Sequence, residues 1–252
     1  MINIKTPDEI KLMIVAGSIV ADTHAYLKNY IKPGITTKEL DELAYQFIIS
    51  KNATPSFKNY GGYPASICTS VNEEVVHGIP GNRVLKEGDI ISIDIGANYK
   101  GYHGDSAWTY PVGKIDSDKE YLLKHTEEAL NQGLSVIKSG VKVGDISNAV
   151  EKYAKEHKLG VVRELVGHGV GSSLHESPDI PNFGRPNTGP ILKENMVIAV
   201  EPMLNLGTAR VYILDDDWTI VTADKRPSAH FEHTVVVNKD GYTILTKRWL
   251  YG

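Results

Sequence analysis

Asp-Ile-Ile-Ser-Ile-Asp-Ile-Gly-Ala-Asn-Tyr-Lys-Gly-Tyr-His-Gly-Asp-Ser-Ala-Trp-Thr-Tyr-Pro-Val (89–112) reads as two strands around the turn-prone Asn98-Tyr99-Lys100-Gly101. Ile91, Ile93 and Ile95 alternate onto one face, leaving Ser92, Asp94 and Gly96 on the other. With residues 98–101 as the loop, Asp94 lies directly opposite Asp105. Facing carboxylates repel, an arrangement tolerated when one is protonated or a cation sits between them. A register one residue away would leave both aspartates in solvent.

The 252 residues are 41% hydrophobic, 23% charged and 8% aromatic, an ordinary globular composition. No linker divides the chain, which predicts one domain over residues 1–252. Twenty-seven basic against thirty-one acidic residues give a formal charge of -4, and no basic run points to nucleic acid. The lone Cys68 precludes an intrachain disulfide and fits a reducing compartment. With Asp8, Glu9 and Lys11 near the start, no apolar run reads as a signal peptide or membrane helix. The expectation is a cytoplasmic protein with no membrane partner.

Thr6-Pro7-Asp8-Glu9 opens a helix through a capping box, and a second helix starts at Thr36 or Thr37 and fades by Lys51. Residues 56–63 are aromatic and loop-like, and residues 66–71 form a short strand. Ser117 caps a third helix that runs to about Lys138, and a fourth runs from Asp145 to about His157. Residues 161–165 read as a strand leading into a glycine-rich loop, Gly167-His168-Gly169-Val170-Gly171. A strand over 196–200 ends at Glu201-Pro202, and a hairpin turns at Asp215-Asp216-Asp217. The last long strand covers 230–237, with one more over 241–245.

Ile31-Lys32-Pro33-Gly34-Ile35 and its helix resemble Ile137-Lys138-Ser139-Gly140-Val141 and its helix. Leu40 then falls on Ile146, Ala44 on Val150 and, one residue further on, Asp94 on Glu201. This pattern predicts duplicated αβ halves with an acidic site between them.

Asp94, Asp105, Glu201 and Glu232 are four acidic residues on predicted strands, with no Lys or Arg adjoining any of them on its own strand face. Buried carboxylates without cationic neighbours point to metal coordination, and His168 adds an imidazole. Two divalent ions would offset the four charges.

Asn-Glu-Glu-Val-Val-His-Gly-Ile-Pro (72–80), Ile-Asp-Ile-Gly (93–96), Gly-Tyr-His-Gly-Asp-Ser-Ala (101–107) and Gly-His-Gly-Val-Gly (167–171) carry a resemblance to the type I methionine aminopeptidases. It continues with His-Glu-Ser-Pro (175–178), Glu-Pro-Met-Leu (201–204) and Phe-Glu-His-Thr-Val-Val-Val (231–237), and so covers nearly the whole chain. It implies an α+β pita-bread fold: a central antiparallel sheet, helices on its outer face and two pseudo-symmetric halves. It also implies removal of the N-terminal Met of nascent polypeptides when the second residue is small, by a water activated between two metals.

The same resemblance makes Asp94, Asp105, His168, Glu201 and Glu232 the metal ligands, with Asp105 and Glu232 bridging and Glu201 also the proton shuttle. His77 and His175 become substrate-contacting catalytic histidines that do not bind metal. Tyr60, Tyr63, Cys68 and Trp218 wall the methionine pocket, with Phe57 and Leu174 at positions that vary in the family. Gly61 stands where some relatives carry histidine, and Val76 where some carry cysteine. Asn72 and Ser228 match positions that offer backbone oxygens to a monovalent cation. The divalent ions expected are manganese, iron, cobalt or zinc. Ribosome association and a monomeric state are further expectations.

The 31 residues between Glu201 and Glu232 are too few for the helical insertion of type II relatives. The chain also begins only a few residues before its first helix, so no zinc-finger extension is expected. Two alternatives remain at this point: a proline-directed aminopeptidase or prolidase, and a non-enzymatic pita-bread binding module.

Overall fold

The computed structural model describes residues 2–247. Among these, four α-helices lie at α1 Pro7–Leu27, α2 Thr37–Ser50, α3 Ser117–Ser135 and α4 Val143–Glu156, and every paired strand is antiparallel. Thr6 and Thr36 close reciprocal capping boxes with Glu9 and Glu39, as the sequence pattern requires. The start of α3 is one residue earlier than expected. Asp116, not Ser117, is the cap, its Oδ1 accepting the Lys119 N–H at 2.9 Å. Asp145 sits inside the first turn of α4, where its carboxylate folds back onto the Lys142 N–H (3.0 Å). Helix α1 is long and apolar enough to cross a membrane by length and composition. Ten of its residues are buried, and Ile19, Val20 and Leu27 join the core with Ile91, Ile93 and Ile95, so packing accounts for its apolar face.

The strands Ile90–Tyr99 and Tyr102–Pro111 form the expected hairpin, but its turn is shorter. Tyr99 pairs with Tyr102, and Lys100 and Gly101 alone make the turn, with φ of 51° and 88°. Two positive φ values match the right-handed twist of the flanking strands. Asn98 stays in the strand and accepts the Gly101 N–H through its side chain (3.0 Å). The register therefore shifts by two: Asp94 faces Ala107 and Asp105 faces Gly96. A shift of two preserves the face, so the aspartates remain neighbours on a diagonal.

Three further boundaries differ from the expectation. The strand expected over 161–165 is confined to Gly160–Val161, and Gly167-His168-Gly169 lies within a strand, Val166–Gly169. A Cβ at Gly167 would strike the Ala199 carbonyl and one at Gly169 the Ser177 carbonyl, so these glycines permit close strand approach. The strand expected over 230–237 is interrupted: Ser228–His230 pairs with Met203–Asn205, and His233–Val237 with Val197–Val200. Pro202, which lacks an N–H, interrupts the partner at the same level. Val200↔His233 and Met203↔His230 share one register across the gap, which sets Glu201 opposite Glu232.

The duplicated halves are visible in the backbone. Thr36 bridges to Val84 and Lys142 to Ile191, offsets of 106 and 107 residues. Gly34 donates to Leu85 O (2.8 Å) as Gly140 does to Leu192 O (2.9 Å). One core gathers Leu40, Ala44 and Ile93, the other Ile146, Val150 and Ile198.

The halves meet where the hairpin edge adjoins residues 230–234, and hydroxyls stitch the seam. Thr234 Oγ1 donates to Asp105 O (2.7 Å) and accepts from Asp105 N (3.2 Å). Ser106 Oγ donates to Glu232 O (2.6 Å), and Glu232 N donates to Ala107 O (2.8 Å). Replacing Thr234 by Val keeps the shape and strands both Asp105 backbone groups. Thr234→Val should cost about 1–3 kcal/mol, read as a lower urea midpoint at unchanged slope; an unchanged midpoint would show that the seam does not depend on this hydroxyl.

Candidate metal centre and substrate pocket

The seam delivers the acidic residues to one place. Asp94 comes from the first hairpin strand and Asp105 from the second, while Glu201 and Glu232 emerge where the two paired strands break. All four line one cavity of about 400 Å³ together with His168, His77 and His175. Asp105 and Glu232 are only 3% and 2% exposed, whereas Asp94 and Glu201 keep part of their surface toward the cavity. His168 Nε2 lies 3.8 Å from Asp105 Oδ2 and 3.6 Å from Glu201 Oε1. Its Nδ1 lies 2.8 Å from the Gly169 carbonyl, so the Nδ1–H tautomer donates there and turns the Nε2 lone pair to the carboxylates.

The electrostatics are those of excess buried charge. Burial, then the charges of Asp105 and Glu201, drives the Asp94 carboxyl well above its ordinary range. Burial lifts Asp105 to about 7 against the opposing contacts of Asp94 and the Ser106 backbone. Glu201 is raised by burial and by Asp105, and Glu232 by burial, Asp105, Glu201 and Asp94. The basic groups within 4 Å of Asp105 and Glu201 are imidazoles. Burial and His175 pull His168 down to about 4, so its ring is neutral.

Asp94 Oδ1, Asp105 Oδ1 and Glu232 Oε1 are buried without a hydrogen-bond partner. Lone pairs left bare in this way cost stability unless something binds them. Asp105, His168 and Glu232 each present a ligand atom within 4.8 Å of the others, and so do Glu201, His230 and Glu232. Carboxylates with a neutral imidazole form a donor set suited to divalent cations.

Beside the acidic floor lies an apolar recess. Phe57, Tyr63, Ala65, Cys68 and Leu174 pack as one cluster, with Trp218 against it. The Tyr63 hydroxyl shares its one proton between the Ile67 and Gly78 carbonyls (3.1 and 3.0 Å), and its ring stands edge-on to Trp218 at 5.1 Å. Tyr60 stands 45% exposed at the mouth, its hydroxyl 2.8 Å from His175 Nδ1. His77 has φ 60° and neighbours Trp218, with ring centroids 6.5 Å apart. Burial, then His175, lowers it to about 4. Asn72 and Ser228 are adjacent, the Ser228 N–H donating to the Asn72 carbonyl at 2.9 Å.

Every residue expected at the ligand set, the histidine pair and the pocket wall therefore lines this cavity. The cavity also holds His230, outside the expected set, although it sits two residues before Glu232, the spacing that puts two side chains on one strand face. Its ring is 1% exposed, its Nε2 is 3.5 Å from Glu201 Oε2, and burial with His77 lowers its pKa to about 3.

The family model for Metallopeptidase family M24 matches residues 11–239. The chain belongs to that family. Among M24 relatives, methionine aminopeptidase 1 of Bacillus subtilis (strain 168) is 58% identical over 247 residues, 98% of this chain and 100% of the relative. A crystal structure of methionine aminopeptidase from Thermotoga maritima superposes with a TM-score of 0.97 at 45% identity, covering 98% of this chain and 100% of that one. The prolidase of Pyrococcus furiosus shares the pita-bread fold alone, with a TM-score of 0.77 at 24% identity over 97% of this chain and 65% of the prolidase.

The raised carboxyls fix the sign of a pH effect. Asp105 holds its proton to about 7 when folded, against an ordinary 3.8, so the folded state binds protons that the unfolded chain has released. Its contribution is most favourable below the ordinary value and is lost as pH rises toward 7. The metal-free protein should lose melting temperature between about pH 4 and pH 7, and Asp105→Asn should flatten that decline. Calorimetry on both across that range checks this; parallel profiles would contradict it.

Proposed function

We propose that the chain is a methionine aminopeptidase that removes N-terminal methionine from polypeptides whose second residue is small. The observation that carries the reading is the union, in one cavity, of a four-carboxylate floor with an apolar recess ending at Tyr63, Cys68 and Trp218. Asp94, Asp105, His168, Glu201 and Glu232 are the residues that would hold the divalent ions. When bound, such ions polarise the scissile carbonyl and lower the pKa of the attacking water.

The chain's own residues supply the rest. Methionine's unbranched thioether enters the recess, where its sulfur meets the faces of Tyr63 and Trp218. The free α-amino group points to the carboxylate floor, which restricts cleavage to the first peptide bond. Neutral His77 donates an N–H to the substrate amide. Tyr60 occupies His175 Nδ1, which leaves Nε2 for the oxygen that gains charge in the transition state. Glu201 takes a proton from the water and returns it to the departing amine. The loops carrying His77 and His175 flank the path of the second side chain, so a large one clashes there. Work on nascent chains, in the cytoplasm and beside the ribosome, accords with this activity.

Alanine at His77 or at His175 should lower kcat by roughly 10–1000-fold with metal content unchanged by elemental analysis. Metal lost together with activity would move that histidine into the ligand set. In a Met-Xaa-peptide series, Gly, Ala and Ser should be processed. Lys, Glu and Leu should fall a few hundredfold in kcat/KM, a penalty of ~3–4 kcal/mol. The acetylated Met-Ala peptide should not turn over, because an amide nitrogen is a poor ligand. Equal cleavage of Met-Ala and Met-Lys peptides, or turnover of the acetylated form, would overturn the reading.

A further inference from the structure

The imidazole of His230 lies inside the site, and neither the ligand set nor the substrate contacts above use it. It is 1% exposed, and its Nε2 is buried without a hydrogen-bond partner. That atom faces Glu201 Oε2 at 3.5 Å, the outer edge of hydrogen-bond reach. The opposite oxygen of the same carboxylate, Oε1, faces His168 Nε2 at 3.6 Å. The two oxygens of Glu201 are thus divided between two imidazoles.

The base of the His230 side chain is held firmly. Its N–H donates to Thr109 Oγ1 and its carbonyl accepts the Thr109 hydroxyl, both at 2.9 Å. On its other edge His230 pairs with Met203, two residues past Glu201. The backbones of His230 and Glu201 are therefore fixed relative to each other by the same broken strand pair.

We propose that His230 is a positioning residue for Glu201. In the Nε2–H tautomer its ring donates to Glu201 Oε2, which keeps Oε1 turned to the His168 side. This rests on the metal-site reading of Glu201 above. A carboxylate that must both ligate and move a proton needs a fixed orientation, and a partner on its outer oxygen supplies it. The role requires a donor at the reach of Nε2. Gln brings a carboxamide N–H to about that reach, Asn falls short of it, and Leu fills space without a donor.

The test uses the full chain stripped of metal and titrated calorimetrically with Mn2+ alone, followed by kinetics on a Met-Ala peptide. His230→Leu and His230→Asn should weaken Mn2+ binding by about 10–100-fold, with His230→Gln within about threefold of the wild type. The same two variants should lower kcat with KM little changed, because Glu201 moves a proton and does not hold the side chain in the recess. Should the Leu variant not fold by circular dichroism, the Gln and Asn pair decides the matter, since both keep a polar side chain. Wild-type affinity in the Asn variant, or equal impairment in the Gln and Asn variants, would overturn the role. A wild-type protein that binds no Mn2+ would instead overturn the metal-site reading, so the two failures are distinguishable.

Discussion

Four carboxylates share one buried place in this protein, and their mutual repulsion is the constraint to which the surrounding structure answers. Burial is the leading cause of the upward shift at Asp94, Asp105, Glu201 and Glu232 alike. Lys and Arg side chains could have neutralised them, but the basic groups at hand are neutral imidazoles. Protons or divalent cations are the remaining ways to relieve such a site. Bare oxygens on Asp94, Asp105 and Glu232 mark where a cation would be received.

The fold meets this constraint by symmetry. Strand Ile90–Tyr99 and strand Val197–Val200 begin 107 residues apart, and Asp94 and Glu201 differ by the same 107. Each half contributes a comparable strand and helix pair with its own apolar core. The acidic residues fall on the seam between those cores, where hydroxyls of Ser106, Thr109 and Thr234 replace a regular ladder. An unbroken ladder would have run past the site. The break at Pro202 and Phe231 lets two glutamates emerge face to face.

Much of this could be read in the residues, for physical reasons that differ from element to element. The capping box at Thr6 and the helix start at Thr36 are local chemistry and lie where the sequence places them. The repeat near Ile31 and Ile137 reappears as matched bridges to Val84 and Ile191. The hairpin register was misplaced by two because Asn98 carries a turn signal yet stays in the strand, with Lys100 accepting the positive φ. Gly167 and Gly169 suggested a loop by composition, while their use is to admit neighbouring carbonyls, a tertiary demand that sequence spacing does not encode. His230 is not legible in the sequence for a related reason. Its partner Glu201 lies 29 residues away, and only the shared register brings the two together.

On the function proposed above, the acidic floor becomes competent for peptide hydrolysis by holding divalent ions. The most direct measurement is hydrolysis of a Met-Ala peptide by chelator-stripped protein as Mn2+ is restored stepwise, with bound metal counted at each step by elemental analysis. The account predicts no turnover in the stripped protein and recovery that saturates at no more than two ions per chain. Full turnover by protein carrying no measurable divalent metal would contradict it.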